Sequence, residues 1–171
     1  MTGDQQSSDA TNKRNTPLDV HFALQAAGLG VWEFDPVTNQ IIWDDRCREL
    51  FGLATPSDLT YEQAIQYIHA DDVERVTKAM QWAMNPQSDG VYDETFRTLG
   101  VDDGKLRWVR FYGRSSFSSV GEVYRFAGVA QDVTQQELAR QQETAALHQA
   151  QRQQRMYEAI TASTPDLVYG V

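Results

Sequence analysis

"VYDETFRTLGVDDGKLRWVRFYGRSSFSSVGEVYRFAGVAQDVTQQE", residues 91–137, contains three runs in which apolar or aromatic residues alternate with polar ones. The runs 91–99, 106–117 and 123–132 are separated by the turn stretches "GVDDGK" and "SSVGE". Period-two alternation bounded by Gly, Asp and Ser predicts strands joined by hairpins, so this stretch is an antiparallel meander. After Asp132 the pattern becomes glutamine-rich and helical, with no Gly or Pro linker between strand and helix. "TQQE" (134–137) predicts a capping box that starts this helix. A helix over 134–160 would extend roughly 40 Å at 1.5 Å per residue. Its stripe of Leu138, Ala145, Met156 and Ile160 is interrupted by Gln142, Gln149 and Arg152, which predicts a weak and adjustable coiled coil.

Upstream of the meander, "VWEFDP" and "QIIWDD" flank the turn 36–39 and predict a further hairpin. Before it, Thr16 as N-cap and Pro17 as first helical residue open a helix carrying Leu18, Phe22, Ala26 and Leu29 at helical spacing. Between hairpin and meander, residues 45–85 read as short helices. Thr60 with Gln63, and Asp71 with Glu74, predict two helix starts. In the longer of these helices Val73, Val76, Met80 and Met84 form one stripe, suited to cover a sheet. The order strand, strand, helices, three strands, long helix implies an α+β fold: a five-stranded antiparallel sheet with helices on one face, plus a long C-terminal helix.

With 171 residues, of which 41% are hydrophobic and 11% aromatic, the chain suits one domain with extensions. We divide it into a disordered lead-in (1–15), a folded domain (16–134), a linker helix (135–160) and a terminal piece (161–171). That last piece, in "YEAITASTPDLVYGV", repeats the shape of "FALQAAGLGVWEFDP", and predicts the truncated start of a second, similar domain. A net charge of −9 repels phosphate backbones and anionic lipid, which argues against nucleic-acid and membrane-surface partners. No apolar run approaches the roughly 20 residues of a membrane span. The single cysteine, Cys47, forms no internal disulfide and agrees with a reducing, cytoplasmic location.

The segments "GVWEFDPVTNQIIWDDRCRELFGL", "LTYEQAIQYIHADDVERV", "DDGKLRWVRFYGR" and "FAGVAQDVT" together resemble a Per-Arnt-Sim (PAS) domain with its PAC extension, across residues 18–134. The subclass is the bacterial one with an "IHPDD"-like segment, from which Ala70 departs in place of proline. The closing Asp132-Val133-Thr134 has Val where Ile is commoner. The resemblance implies a sensory or regulatory module of a multidomain signalling protein. Such a module works as a homodimer and passes its state through the C-terminal helix to a downstream output domain, a histidine kinase or a diguanylate cyclase. The alternative it implies is a flavin- or haem-bearing redox or light sensor.

Catalytic chemistry has little support in the residues, and this chain is expected to be no enzyme. His69 with Asp71 and Asp72 could be drawn as a metal cluster, but two acids fit better at a helix N-terminus, and no metal is expected. His148 reads as a solvated helix residue, and Cys47 as a small, partly buried hydrophobe rather than a flavin-adduct thiol. No cofactor is evident, although a flavin or small metabolite is compatible with a sheet covered by helices. Trp32, Phe34, Trp82 and Trp108 are the candidate pocket residues, and Asp132, Val133 and Thr134 the candidate signal relay.

Overall fold

The computed structural model describes residues 18–55 and 58–163. The meander forms as its alternation predicts, with β4 (Val91–Leu99), β5 (Leu106–Phe117) and β6 (Val123–Asp132) paired antiparallel. In β5, Val109, Phe111 and Ser115 are buried on one face while Arg110 and Tyr112 are exposed on the other. The hairpin of β1 (Gly30–Asp35) and β2 (Gln40–Trp43) joins the sheet through β6, which places the first and last strands side by side.

The sheet has six strands where five are expected, in the order β3-β2-β1-β6-β5-β4. The extra strand β3 (Leu59–Thr60) pairs with Gln40 and Ile41 and is only two residues long. A strand of that length carries no periodicity, so it is visible only through its partner.

Four helical elements lie between β2 and β4, the first of them before β3. They are α2 (Asp45–Leu50), α3 (Tyr61–Ala64), a 3-10 turn (Ile65–Tyr67) and α4 (Ala70–Ala83). The Asp44 carboxylate accepts from the Cys47 amide at 2.8 Å and caps α2. The Thr60–Gln63 capping box at α3 forms as expected. At α4 the cap is His69, whose Nδ1 accepts from the Asp71 amide at 3.2 Å, and not Asp71 as expected. Val76, Met80 and Ala83 of α4 are buried against the sheet, and the aromatic core comprises Trp32, Phe34, Trp43, Phe51, Phe96, Phe111 and Phe126. At the N-terminal end, α1 (Val20–Ala26) is capped by Asp19, which accepts from the Phe22 amide. The expected cap Thr16 lies outside the described residues, as do the expected lead-in 1–15 and most of the terminal piece 161–171.

Asp72 has the task that the sequence does not announce. It is 6% exposed, and its carboxylate accepts from Arg97 Nε at 3.0 Å, from Arg97 Nη2 at 2.8 Å and from the Arg97 amide at 2.8 Å, binding α4 to edge strand β4. The guanidinium fork holds its carboxyl below the usual range, outweighing burial, which pushes it up. Since the folded value is the depressed one, the pair stabilises the fold above the ordinary value of 3.8, and this contribution is lost as pH falls through the folded value. Asp72→Asn is therefore expected to cost about 1 to 3 kcal/mol at neutral pH. Paired denaturation curves should show the gap between variant and wild type closing in acid.

Candidate functional site

Four residues stand in one row across the core face of the sheet. By register, Trp32 of β1 is opposite Gly128 of β6, Gly128 is opposite Gly113 of β5, and Gly113 is opposite Tyr92 of β4. The two central positions have no side chain, so the Trp32 indole lies over Gly113 and meets Tyr92 edge to face, with ring centroids 5.9 Å apart. Phe126 meets both rings edge-on, at 5.0 Å from Trp32 and 5.7 Å from Tyr92. The indole N–H donates to the Val129 carbonyl at 3.0 Å, which fixes the ring on this floor.

Above the floor, α3, the 3-10 turn and α4 close a cavity of about 60 Å³. Trp32, Phe34, Ile41, Trp43, Phe51, Tyr61, Val76, Met80, Tyr92, Phe96, Phe111 and Phe126 all line it. The Tyr61 hydroxyl is paired with Thr77 Oγ1 at 2.8 Å. Tyr92 is 5% exposed, and burial pushes its phenol well above the usual value, so it remains a protonated donor. A cavity this small and apolar selects on shape, and is far below the roughly 300 Å³ at which organic cofactor and drug-sized sites begin.

Two of the four expected pocket residues, Trp32 and Phe34, are on the cavity wall. Trp82 is not: it is 55% exposed, because on α4 it falls two positions after the inward Met80 and so turns to solvent. Trp108 is not either. It precedes the buried Val109 by one residue and therefore stands on the opposite face, under the Arg97 guanidinium at 5.3 Å. The lining residues that were not anticipated, Tyr92, Phe111 and Phe126 among them, share strand parity with the glycine pair, and that parity was the available signal.

Among the described residues, no histidine and no cysteine lines the cavity. Cys47 is fully buried on α2, where burial pushes its thiol well up, away from the reactive thiolate. His69 spends Nδ1 on the α4 cap, and His148 is exposed on α5 (Thr134–Ser163). The lining thus fits neither a flavin-adduct thiol nor an axial haem ligand.

The relay residues come together at the far end of β5. The Val133 amide donates to the Trp108 carbonyl at 2.8 Å. The Thr134 hydroxyl accepts from the Trp108 amide at 3.0 Å and donates to Asp132 Oδ1 at 2.6 Å, while the same Oδ1 accepts from the Thr134 amide at 2.9 Å. The expected capping box does not form: Glu137 pairs instead with Arg140, and the cap at the helix start comes from Asp132. The first turn of α5 is thereby bonded to the backbone of β5, three residues from Phe111 on the cavity wall. Beyond that turn α5 buries no residue, and Leu147, Met156 and Tyr157 are exposed along it. At the other end of the domain α1 likewise buries none, with Leu18 and Phe22 exposed. Among the described residues, no helix is long and apolar enough to cross a membrane.

A family model described as the PAS fold matches residues 40–130. The chain is 25% identical over 68% of its length to the sensor protein FixL of Bradyrhizobium diazoefficiens, and 26% identical over 68% to a probable diguanylate cyclase, DgcE, of Escherichia coli. It spans only 23% and 10% of those relatives. Among solved structures it is similar to a sensory box histidine kinase/response regulator from Burkholderia thailandensis, with a TM-score of 0.62, 26% identity, and coverage of 80% of this chain and 97% of that one. The N-terminal domain of a diguanylate cyclase with PAS/PAC sensor from Marinobacter aquaeolei shares the fold at a TM-score of 0.56 and 18% identity, covering 64% of this chain and 98% of that one.

Proposed function

Because the chain belongs to the PAS fold family, we propose that it is the sensory module of a larger signalling protein, in which the state of the aromatic cavity is passed through the strand-to-helix junction to an output domain. The observation that carries this reading is the bonding of Asp132, Val133 and Thr134 to Trp108, which leaves no free hinge between β6 and α5. A small change in the cavity that shifts β5 shifts the base of the helix with it. Its relatives point to the output as a histidine kinase or a diguanylate cyclase, so catalysis would lie downstream. In this reading the module acts in the cytoplasm as a homodimer, with the exposed apolar residues of α1 and α5 as its contact surfaces, and residues beyond α5 open a second module of the same kind. Output activity of the full-length parent carrying junction variants tests it.

A cofactor-bearing sensor is the rival reading, and the cavity walls argue against it for the reasons of size and ligand type given above. The purified chain is expected to be colourless. A flavin or haem band in its visible spectrum that survives dialysis would favour the rival.

A further inference from the structure

Arg97 and Trp108 stand opposite each other on β4 and β5, and their backbone groups point away from each other. The Arg97 amide donates to Asp72 Oδ2 at 2.8 Å and its carbonyl accepts from the His69 amide at 2.9 Å, both toward the start of α4. The Trp108 amide donates to the Thr134 hydroxyl at 3.0 Å and its carbonyl accepts from the Val133 amide at 2.8 Å, both toward the start of α5. Such a pair exchanges no hydrogen bond between its own backbones, and its side chains approach as closely as an antiparallel sheet allows. The guanidinium that grips Asp72 through Nε and Nη2 therefore also lies over the indole, 5.3 Å from its centroid. Asp72 is one turn before Val76 and two before Met80, on the face of α4 that lines the cavity. One residue of β4 thus holds the cavity helix with its backbone and side chain, and with the same side chain covers the residue that anchors α5.

We infer that Arg97 is a positioning residue of the relay, coupling the first turn of α4 to the first turn of α5 through its cation–π contact with Trp108. This rests on the proposed reading of the junction as the route to an output domain, and gives that route a second entry, from the helix over the cavity. A movement of α4 that carries Asp72 draws the guanidinium along, because a bidentate carboxylate fixes the fork in orientation as well as position. The fork follows α4 only by sliding over the indole or by turning it, and Trp108 bears the two bonds on which α5 is anchored. A second clamp between α4 and β4 provides the contrast. Arg75 pairs with Glu94 and donates to the Thr95 carbonyl at 2.9 Å, while among the described residues the cation over the Trp108 ring is Arg97. Arg75 thus holds the helix to the strand without reaching α5.

The test is hydrogen exchange of the Val133 amide, read by NMR in the full chain, with the Phe111 amide of the central strand β5 as the check that each variant folds. Arg97→Met keeps a long stem and removes the guanidinium. It is expected to speed Val133 exchange by about 2- to 5-fold, the worth of a cation–π contact near the surface. Trp108→Leu, which keeps the backbone anchors and removes the ring, is expected to speed it by a similar factor, and Arg75→Met to leave it unchanged. Adding Arg97→Met to Trp108→Leu should then change Val133 no further, a non-additivity that separates coupling through the indole from general loosening. Unchanged Val133 exchange in Arg97→Met would overturn the inference, as would equal acceleration by Arg75→Met or additive effects in the double variant. In the full-length parent, Arg97→Met is expected to shift output in the same direction as Thr134→Ala. Output moved by Thr134→Ala and not by Arg97→Met would overturn the inference and leave the junction reading standing, whereas output moved by neither would remove both.

Discussion

Gly128→Ala is expected to cost the domain about 3 kcal/mol or more, at the upper end of what overpacking a core costs. A methyl group at this position would meet the Tyr112 carbonyl and lie 2.5 Å from the Gly113 Cα, both of them backbone of the neighbouring strand. A side chain can turn away from an intruding methyl, but a hydrogen-bonded strand cannot without breaking its ladder. The same change would lift Trp32 from its seat over the glycine pair and open the contacts of its ring with Tyr92 and Phe126. For a domain of this size the loss corresponds to roughly 10 °C in thermal midpoint. Gly104→Ala is the matched control: it places a methyl where nothing lies within 4 Å, and at φ +65° it carries only the strain of a left-handed backbone. Melting curves of the two variants should separate widely. Coincident midpoints would show that the sheet is not held at the separation described.

At the junction the expected result is opposite in kind: altered output from a domain that stays folded. Thr134→Ala removes the hydroxyl that ties the Trp108 amide to Asp132, and Asp132→Ala removes the acceptor for the Thr134 amide. A lost cap costs about 0.5 to 2 kcal/mol. Because α5 buries no residue, this cost is local, freeing the first turn of the helix without exposing core. A bias of 1 to 2 kcal/mol between two signalling states changes their ratio by about 5- to 30-fold. In the full-length parent either variant should therefore shift the output activity, or its response to signal, several-fold, while the sensor's own thermal transition moves by only a few degrees. Wild-type signalling from both variants would reduce the junction to a structural connection.

What could be read in the sequence depended on how much of each signal is local. Long alternating strands such as β5 and the stripe Val76, Met80 on α4 announce themselves, since burial of one face imposes a period over many residues. Two-residue β3 imposes none. Caps were legible where side chain and partner belong to the same turn, as at Thr60 and Gln63, and misread where a residue has a stronger call on it from elsewhere in the fold. Thr134 is claimed by Trp108, twenty-six residues back, while at Asp71 the cap passes to His69, two residues earlier. The site was half legible for a simpler reason. Trp82 and Trp108 have the composition of a pocket but the wrong phase, whereas Trp32 has both. The glycine pair that makes the floor is a relation between two strands, and it appears only once their register is known.

The geometry of α5 turns a modest event at the sheet into a large one elsewhere. Thirty residues long and gripped only at its first turn, the helix is a lever with its fulcrum at Trp108. At 1.5 Å per residue its arm is about 45 Å, so a tilt of about 5° at the base sweeps the far end through about 4 Å. A displacement at the sheet smaller than the width of an atom is thus delivered to whatever follows as a movement the size of a side chain.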